Sequence, residues 1–127
     1  MKFLTPPIFY LESSDFDSNG NITNPNINTD LPIFIMIQAN YCGYCTMAKP
    51  EFQRFAKTFQ NKVTCATIQA DPVQPDPDMK NIINIICPEL TGFPTYVILF
   101  NHRSILYEYG RSSQEMEKYF NFFLSNL

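Results

Sequence analysis

From Leu31 to Gln38 the chain is apolar almost without a break, and the pattern then changes period. A short continuous run of this kind reads as a strand buried on both faces of a sheet. From Thr46 to Lys57 the spacing becomes helical, with Met47, Phe52, Phe55, Ala56 and Phe59 within one apolar stripe. Pro50 falls inside that helix and is expected to kink it, because its ring crowds the preceding turn and it has no N–H. Lys62 to Ala70 reads as a strand through Val63, Ala66 and Ile68. Asp76-Pro77 predicts a helix start, with aspartate as cap and proline at the first helical position. Met79, Ile82, Ile83, Ile85 and Ile86 carry this helix to Cys87, where Pro88 stops it. Tyr96 to Phe100 and Ile105 to Tyr109 predict a hairpin turning over Asn101–Ser104. Ser112 or Ser113 caps a last helix to Leu124, with Met116, Tyr119, Phe120 and Phe123 on one face.

With Ile8 to Leu11 as a short first strand, the order is β, (α), β, α, β, α, β, β, α. Alternation in the first part implies parallel pairing, and the hairpin adds antiparallel strands. The expected architecture is one α/β domain over residues 1–127, a mixed sheet of four to five strands flanked by helices. Two segments interrupt the pattern. Residues 12–30 are rich in Asn, Asp and Ser with an Asn19-Gly20 turn signal, and Asp15-Phe16-Asp17 is expected to form one helical turn with Phe16 inward. Residues 71–78 form a proline-rich loop whose Asp71, Asp76 and Asp78 read more simply as solvated than as a calcium site.

Composition narrows the function classes. The chain has 127 residues, 45% hydrophobic and 17% charged, with a net charge of −3, an ordinary globular balance. Nothing is basic enough for nucleic acid, and no apolar run approaches the ~18 residues a membrane span needs. Thr5-Pro6-Pro7 interrupts any signal-peptide core after Phe3-Leu4, so a cytoplasmic location is expected. Trp is absent and Asn and Ile are frequent, a usage that fits an AT-rich genome such as that of a large DNA virus or a protist. A virion location is the alternative for a viral gene. A monomer is expected.

The four cysteines are too few for a disulfide scaffold. One pair is spaced for chemistry: Tyr41-Cys42-Gly43-Tyr44-Cys45 lies between a predicted strand and a predicted helix. The first turn of a helix offers unpaired N–H groups and the positive end of the dipole. A thiolate there is stabilised, so Cys42 is expected to ionise more readily than a free cysteine and to act as nucleophile. Cys45, one turn on, is placed to resolve the mixed disulfide. An accidental spacing or a metal knuckle is the competing reading. Only this pair is close in sequence, which disfavours a four-cysteine zinc site. Cys65 and Cys87 are expected to be buried and inert. His102, the single histidine, sits in a turn and is given no role.

The chain resembles the thioredoxin superfamily along nearly its whole length. Ala39-Asn40-Tyr41-Cys42-Gly43-Tyr44-Cys45 is similar to the Ala-x-Trp-Cys-Gly-x-Cys motif, with Tyr41 in the tryptophan's place. Pro50 matches the proline of the active-site helix. Gly92-Phe93-Pro94-Thr95 resembles the loop whose proline is cis and faces the cysteines. Leu11 to Phe16 resembles the family's opening Leu-Thr-x-x-x-Phe. Tyr107 to Arg111 resembles the Tyr-x-x-Gly-Arg of protein disulfide isomerase domains, and the Cys-Gly-Tyr-Cys tetrapeptide matches bacterial periplasmic disulfide isomerases.

The resemblance implies a thioredoxin fold and a thiol–disulfide oxidoreductase with isomerase or oxidase character, needing no dissociable cofactor or metal. Its partners would be protein or peptide thiols and disulfides, with an unidentified reductase or oxidant to recycle the pair. Gly43 would let a substrate backbone approach, Phe93 and Pro94 would present an edge for strand-like pairing, and Tyr41, Tyr44 and Phe93 would form an apolar rim. Tyr44, where reducing thioredoxins carry proline, predicts a reduction potential above about −270 mV, toward about −180 mV.

Two departures stand out. The buried acid six positions before the first cysteine is Met36 here, and the lysine that pairs with it is Thr67. Arg111 could assist Cys45 instead, as in the isomerases, or could simply be a solvated arginine. The first helix is expected to be replaced or shortened by the 12–30 loop, with 71–78 as an insertion. A thioredoxin-like binding or structural module with little turnover is the alternative function.

Overall fold

The computed structural model describes residues 3–70 and 76–127. The proline-rich stretch 71–75, with Asp71, lies outside the described residues. Five strands are β1 (Phe9–Tyr10), β2 (Ile33–Gln38), β3 (Thr64–Gln69), β4 (Thr95–Phe100) and β5 (Arg103–Tyr107); three helices are α1 (Gly43–Thr58), α2 (Met79–Ile86) and α3 (Ser113–Ser125). The sheet order is β1-β3-β2-β4-β5. β3 is parallel to both β1 and β2, whereas β4 is antiparallel to β2 and β5. All six residues of β2 are buried, which is why its sequence does not alternate.

Each face of the sheet has its own core. Phe34, Met36, Cys65, Tyr96 and Ile98 face one layer, with Ala48, Phe52, Phe55 and Ala56 of α1 and Met116 and Phe120 of α3. Phe34 packs edge-on against Phe52, Phe55 and Phe120, with ring centroids 5.4, 5.7 and 4.9 Å away. On the other face Ile33, Ile35, Ile37, Ile68 and Val97 meet α2 through Met79, Ile82, Ile83 and Ile86.

Residues 12–30 contain a 3-10 turn at Ser13–Asp15 and otherwise run without helix. They are held locally: Asp17 accepts from the backbone N–H groups of Asn19 and Asn21, and Phe16 and Ile27 bury themselves in the α2 layer. The turn falls two residues before the sequence expectation, because the helical bonds form ahead of Phe16 and leave it extended.

Three other local expectations shift. α2 begins after Asp78, not Asp76; the Asp76 carboxylate accepts the Asp78 N–H at 3.2 Å and also the backbone N–H and hydroxyl of Ser13, at 2.9 and 2.8 Å. The hairpin turns over two residues, Asn101 and His102, whose φ values of 51° and 59° suit the right-handed twist of the strands; β5 therefore starts at Arg103. α1 begins at Gly43 and continues through Pro50, and Met47 stands out of the apolar stripe at 75% exposure.

Candidate active site

β2 delivers the chain from the middle of the sheet to a short turn, in which the N–H of Cys42 donates to the carbonyl of Ala39. Cys42 is extended and caps α1, its sulfur accepting the N–H of Cys45 at 3.1 Å. The thiol thus occupies the place a serine or aspartate usually holds at a helix start, satisfying one of the orphan donors. Across the cleft the Phe93 carbonyl lies 3.4 Å from the Cys42 sulfur, within reach of its S–H. The Phe93–Pro94 peptide bond is cis. Thr95 closes the loop, its hydroxyl donating to the Gly92 carbonyl at 2.6 Å.

The two sulfurs differ in setting. Cys42 is half-buried and Cys45 fully buried. Burial pushes the Cys45 thiol up to about 11; its hydrogen bond to Cys42 and the proximity of that sulfur act in the same direction, while the backbone at Ala39 and the charge of Lys49 pull it down. Met36 lies buried on the sheet face that carries Cys45. Beside it the Thr67 hydroxyl donates to the Met36 carbonyl and accepts from Gln38 Nε2, both at 2.8 Å. This strip holds Met36, Thr67 and Gln38 and, among the described residues, no carboxylate. Among the described residues, the Gln38 carbonyl oxygen and the Tyr96 hydroxyl are the buried side-chain polar atoms without a hydrogen-bond partner.

Around the mouth, Tyr41 and Tyr44 are 67% and 69% exposed. Phe93 is half-buried and packs on both cores. A side chain at Gly43 would meet nothing within 4 Å, so the space above it is open. Met47, one turn beyond Tyr44, extends the exposed apolar rim. Pro94 is buried and, with Tyr96, Tyr107, Glu89, Glu108 and Arg111, lines a pocket of about 340 Å³. Arg111 is exposed, and its charge acts on the Tyr96 hydroxyl.

Sequence reading did not single out Lys49, Gln38 or Tyr96. The signals were present: a lysine four residues after Cys45, and a glutamine closing an apolar strand. Cys65 and Cys87 sit in opposite layers, so the sheet separates them. Burial pushes both thiols up. His102 lies at the hairpin turn, its ring nitrogen 3.3 Å from the Asn21 side-chain oxygen. No group of three or more His, Cys, Asp or Glu side chains is arranged to hold a metal among the described residues, and no helix there is long and apolar enough to cross a membrane.

Comparison with known proteins agrees with this geometry. The thioredoxin family profile matches residues 11–121. A thioredoxin-like protein of Invertebrate iridescent virus 6, designated 453L, is 39% identical over 116 residues, covering 82% of this chain and 83% of that protein. In fold the chain is similar to the J-Trx1 fragment of ERdj5, with a TM-score of 0.69 at 17% identity, covering 93% of this chain and 50% of that one. The Trx4 domain of ERdj5 has a TM-score of 0.67 at 16% identity, with 94% and 97% covered. The zinc-bound form of human ERp44 has a TM-score of 0.66 at 16% identity, with 90% and 31% covered. With a family profile over most of its length and a viral relative this similar, the chain belongs to the thioredoxin family.

Proposed function

We propose that the protein is a thiol–disulfide oxidoreductase working through the Cys42/Cys45 couple, with isomerase- or oxidase-like character, on protein or peptide substrates. The observation that carries this reading is the placement of Cys42: half-exposed, capping α1, and 3.4 Å from the Phe93 carbonyl above a buried second thiol. The Cys42 thiolate attacks a substrate disulfide, forming a Cys42–substrate bond and expelling one substrate thiolate. Cys45 then attacks the Cys42 sulfur, closing the protein disulfide and releasing the second. Run backwards, the oxidised pair accepts two electrons from substrate thiols. An external dithiol or disulfide partner recycles it.

The open space over Gly43 and the rim of Tyr41, Tyr44 and Met47 suit an extended, partly apolar chain. Isomerase or oxidase character rests on Tyr44, whose exposed turn lacks the proline of reducing thioredoxins. The test is an insulin-reduction assay on wild type and Cys42→Ser, with the couple equilibrated against glutathione. Turnover lost with the substitution, and a potential above about −270 mV, are expected. No turnover by wild type would leave the binding or structural module, and a potential below that value would remove the isomerase or oxidase character.

A further inference from the structure

Lysine is among the side chains least often buried, yet Lys49 is 6% exposed. It lies one helical turn after Cys45 on the buried face of α1. Residues four apart share a helix face, so Lys49 and Cys45 lie on the same side of α1, and both are buried there.

Among the described residues, the side chains that β2, β3 and β4 bring to this part of the sheet are neutral. β2 offers Met36 and Gln38, and β3 offers Thr67, already bonded to both. β4 offers Tyr96, which burial keeps protonated. Cys42 lies on α1's own cap. Arg111, with Glu108 beside it at the pocket rim, is exposed and acts on Tyr96. Among the described residues, Lys49 is the cation whose charge acts on Cys45.

Resting on the oxidoreductase reading above, we propose that Lys49 is the positioning charge of the resolving step. Its ammonium stabilises the Cys45 thiolate at the moment that sulfur attacks Cys42. The Cys45 proton passes to solvent; the new Cys42–Cys45 bond forms as the Cys42–substrate bond breaks, and the expelled substrate thiolate takes up a proton. A fixed positive charge thus does by attraction what a buried carboxylate at the Met36 position would do by accepting a proton.

The test compares Lys49→Met and Lys49→Arg in a Cys42→Ser background, following alkylation of Cys45 by iodoacetamide against pH, with mass spectrometry to locate the label. Removing an opposite charge that acts on this thiol should slow Cys45 labelling at neutral pH and move the midpoint to higher pH, and Lys49→Arg should restore most of the rate. In the two-cysteine protein, Lys49→Met should slow release of substrate from the Cys42 mixed disulfide by a similar factor. A Lys49→Met profile that overlays the parent overturns the proposal. So does a folded Lys49→Arg as slow as Lys49→Met, which would mark a packing role. Lys49→Gln takes the place of Lys49→Met if the latter loses its near-ultraviolet circular dichroism. Labelling reads Cys45 without turnover, so an inactive wild type sinks the oxidoreductase reading, whereas an unchanged profile sinks only the role of Lys49.

Discussion

In the proposed reaction, Cys45 sets the pH dependence of the resolving step. Burial comes first among the causes that raise its thiol to about 11, so at neutral pH it is overwhelmingly protonated. Only its thiolate attacks, and below that value the thiolate fraction grows about tenfold per pH unit. Release of a probe thiol from a Cys42 mixed disulfide should therefore accelerate about tenfold for each unit between pH 6 and 8, measured by stopped-flow. A flat profile would show that another group takes the proton. The sign for stability follows from the same burial. An unperturbed cysteine titrates near 9.0 and the folded one near 11, so the reduced folded state binds more protons between those values. The stability contributed is present below pH 9 and is lost as pH rises through about 11.

Among the elements, the 12–30 segment and α2 are the pair whose fit is least visible in a hydropathy plot. Gly20 sits at a φ of +82°, and an added Cβ would come within 2.9 Å of Ile85 Cγ2 and 3.1 Å of Ile86 Cγ2. A left-handed backbone costs an L-residue about 1–2 kcal/mol, and the contact with Ile85 adds to it. Gly20→Ala should lower stability by at least that much in a urea titration, without altering the reactivity of Cys42. A variant as stable as wild type would mean that the segment lifts off α2 at no cost. The Asp76–Ser13 bonds tie the same two elements together, and they hold the Asp76 carboxyl below its usual range. Their contribution is present above that range and fades as the pH falls into it. Helix α1 differs: its apolar spacing starts at Thr46, and the cap at Cys42 sets the first turn at Gly43, at the strand–helix junction the sequence implied.

For the whole molecule, the two-layer construction decides which thiols can meet. Cys65 belongs to the α1/α3 layer and Cys87 to the α2 layer, both buried. Oxidation of the native protein should therefore consume two thiols and leave two, and a neutral thiol reagent should label four after reduction in denaturant. A second intramolecular bridge, detected by mass spectrometry of the oxidised native protein, would contradict the layering.

The strand and helix order, the central position of β2 and the closeness of Cys42 to Cys45 at a helix start were legible along the chain, because local periodicity and a strand–Cys-x-x-Cys–helix junction encode them within a few residues. What surrounds Cys45 was not. Met36, Thr67, Tyr96 and Lys49 come from four different elements, and their burial and mutual distance arise only when β2, β3, β4 and α1 pack. Met47 shows the limit most simply: helical spacing places it within the apolar stripe, and only the packed sheet shows that its side of α1 faces water. Sequence by itself determined the class of fold and the candidate cysteine pair, since both are written in short-range pattern. Tertiary structure decided the electrostatics of the second sulfur, because burial and through-space charge belong to neighbours the chain brings together from afar.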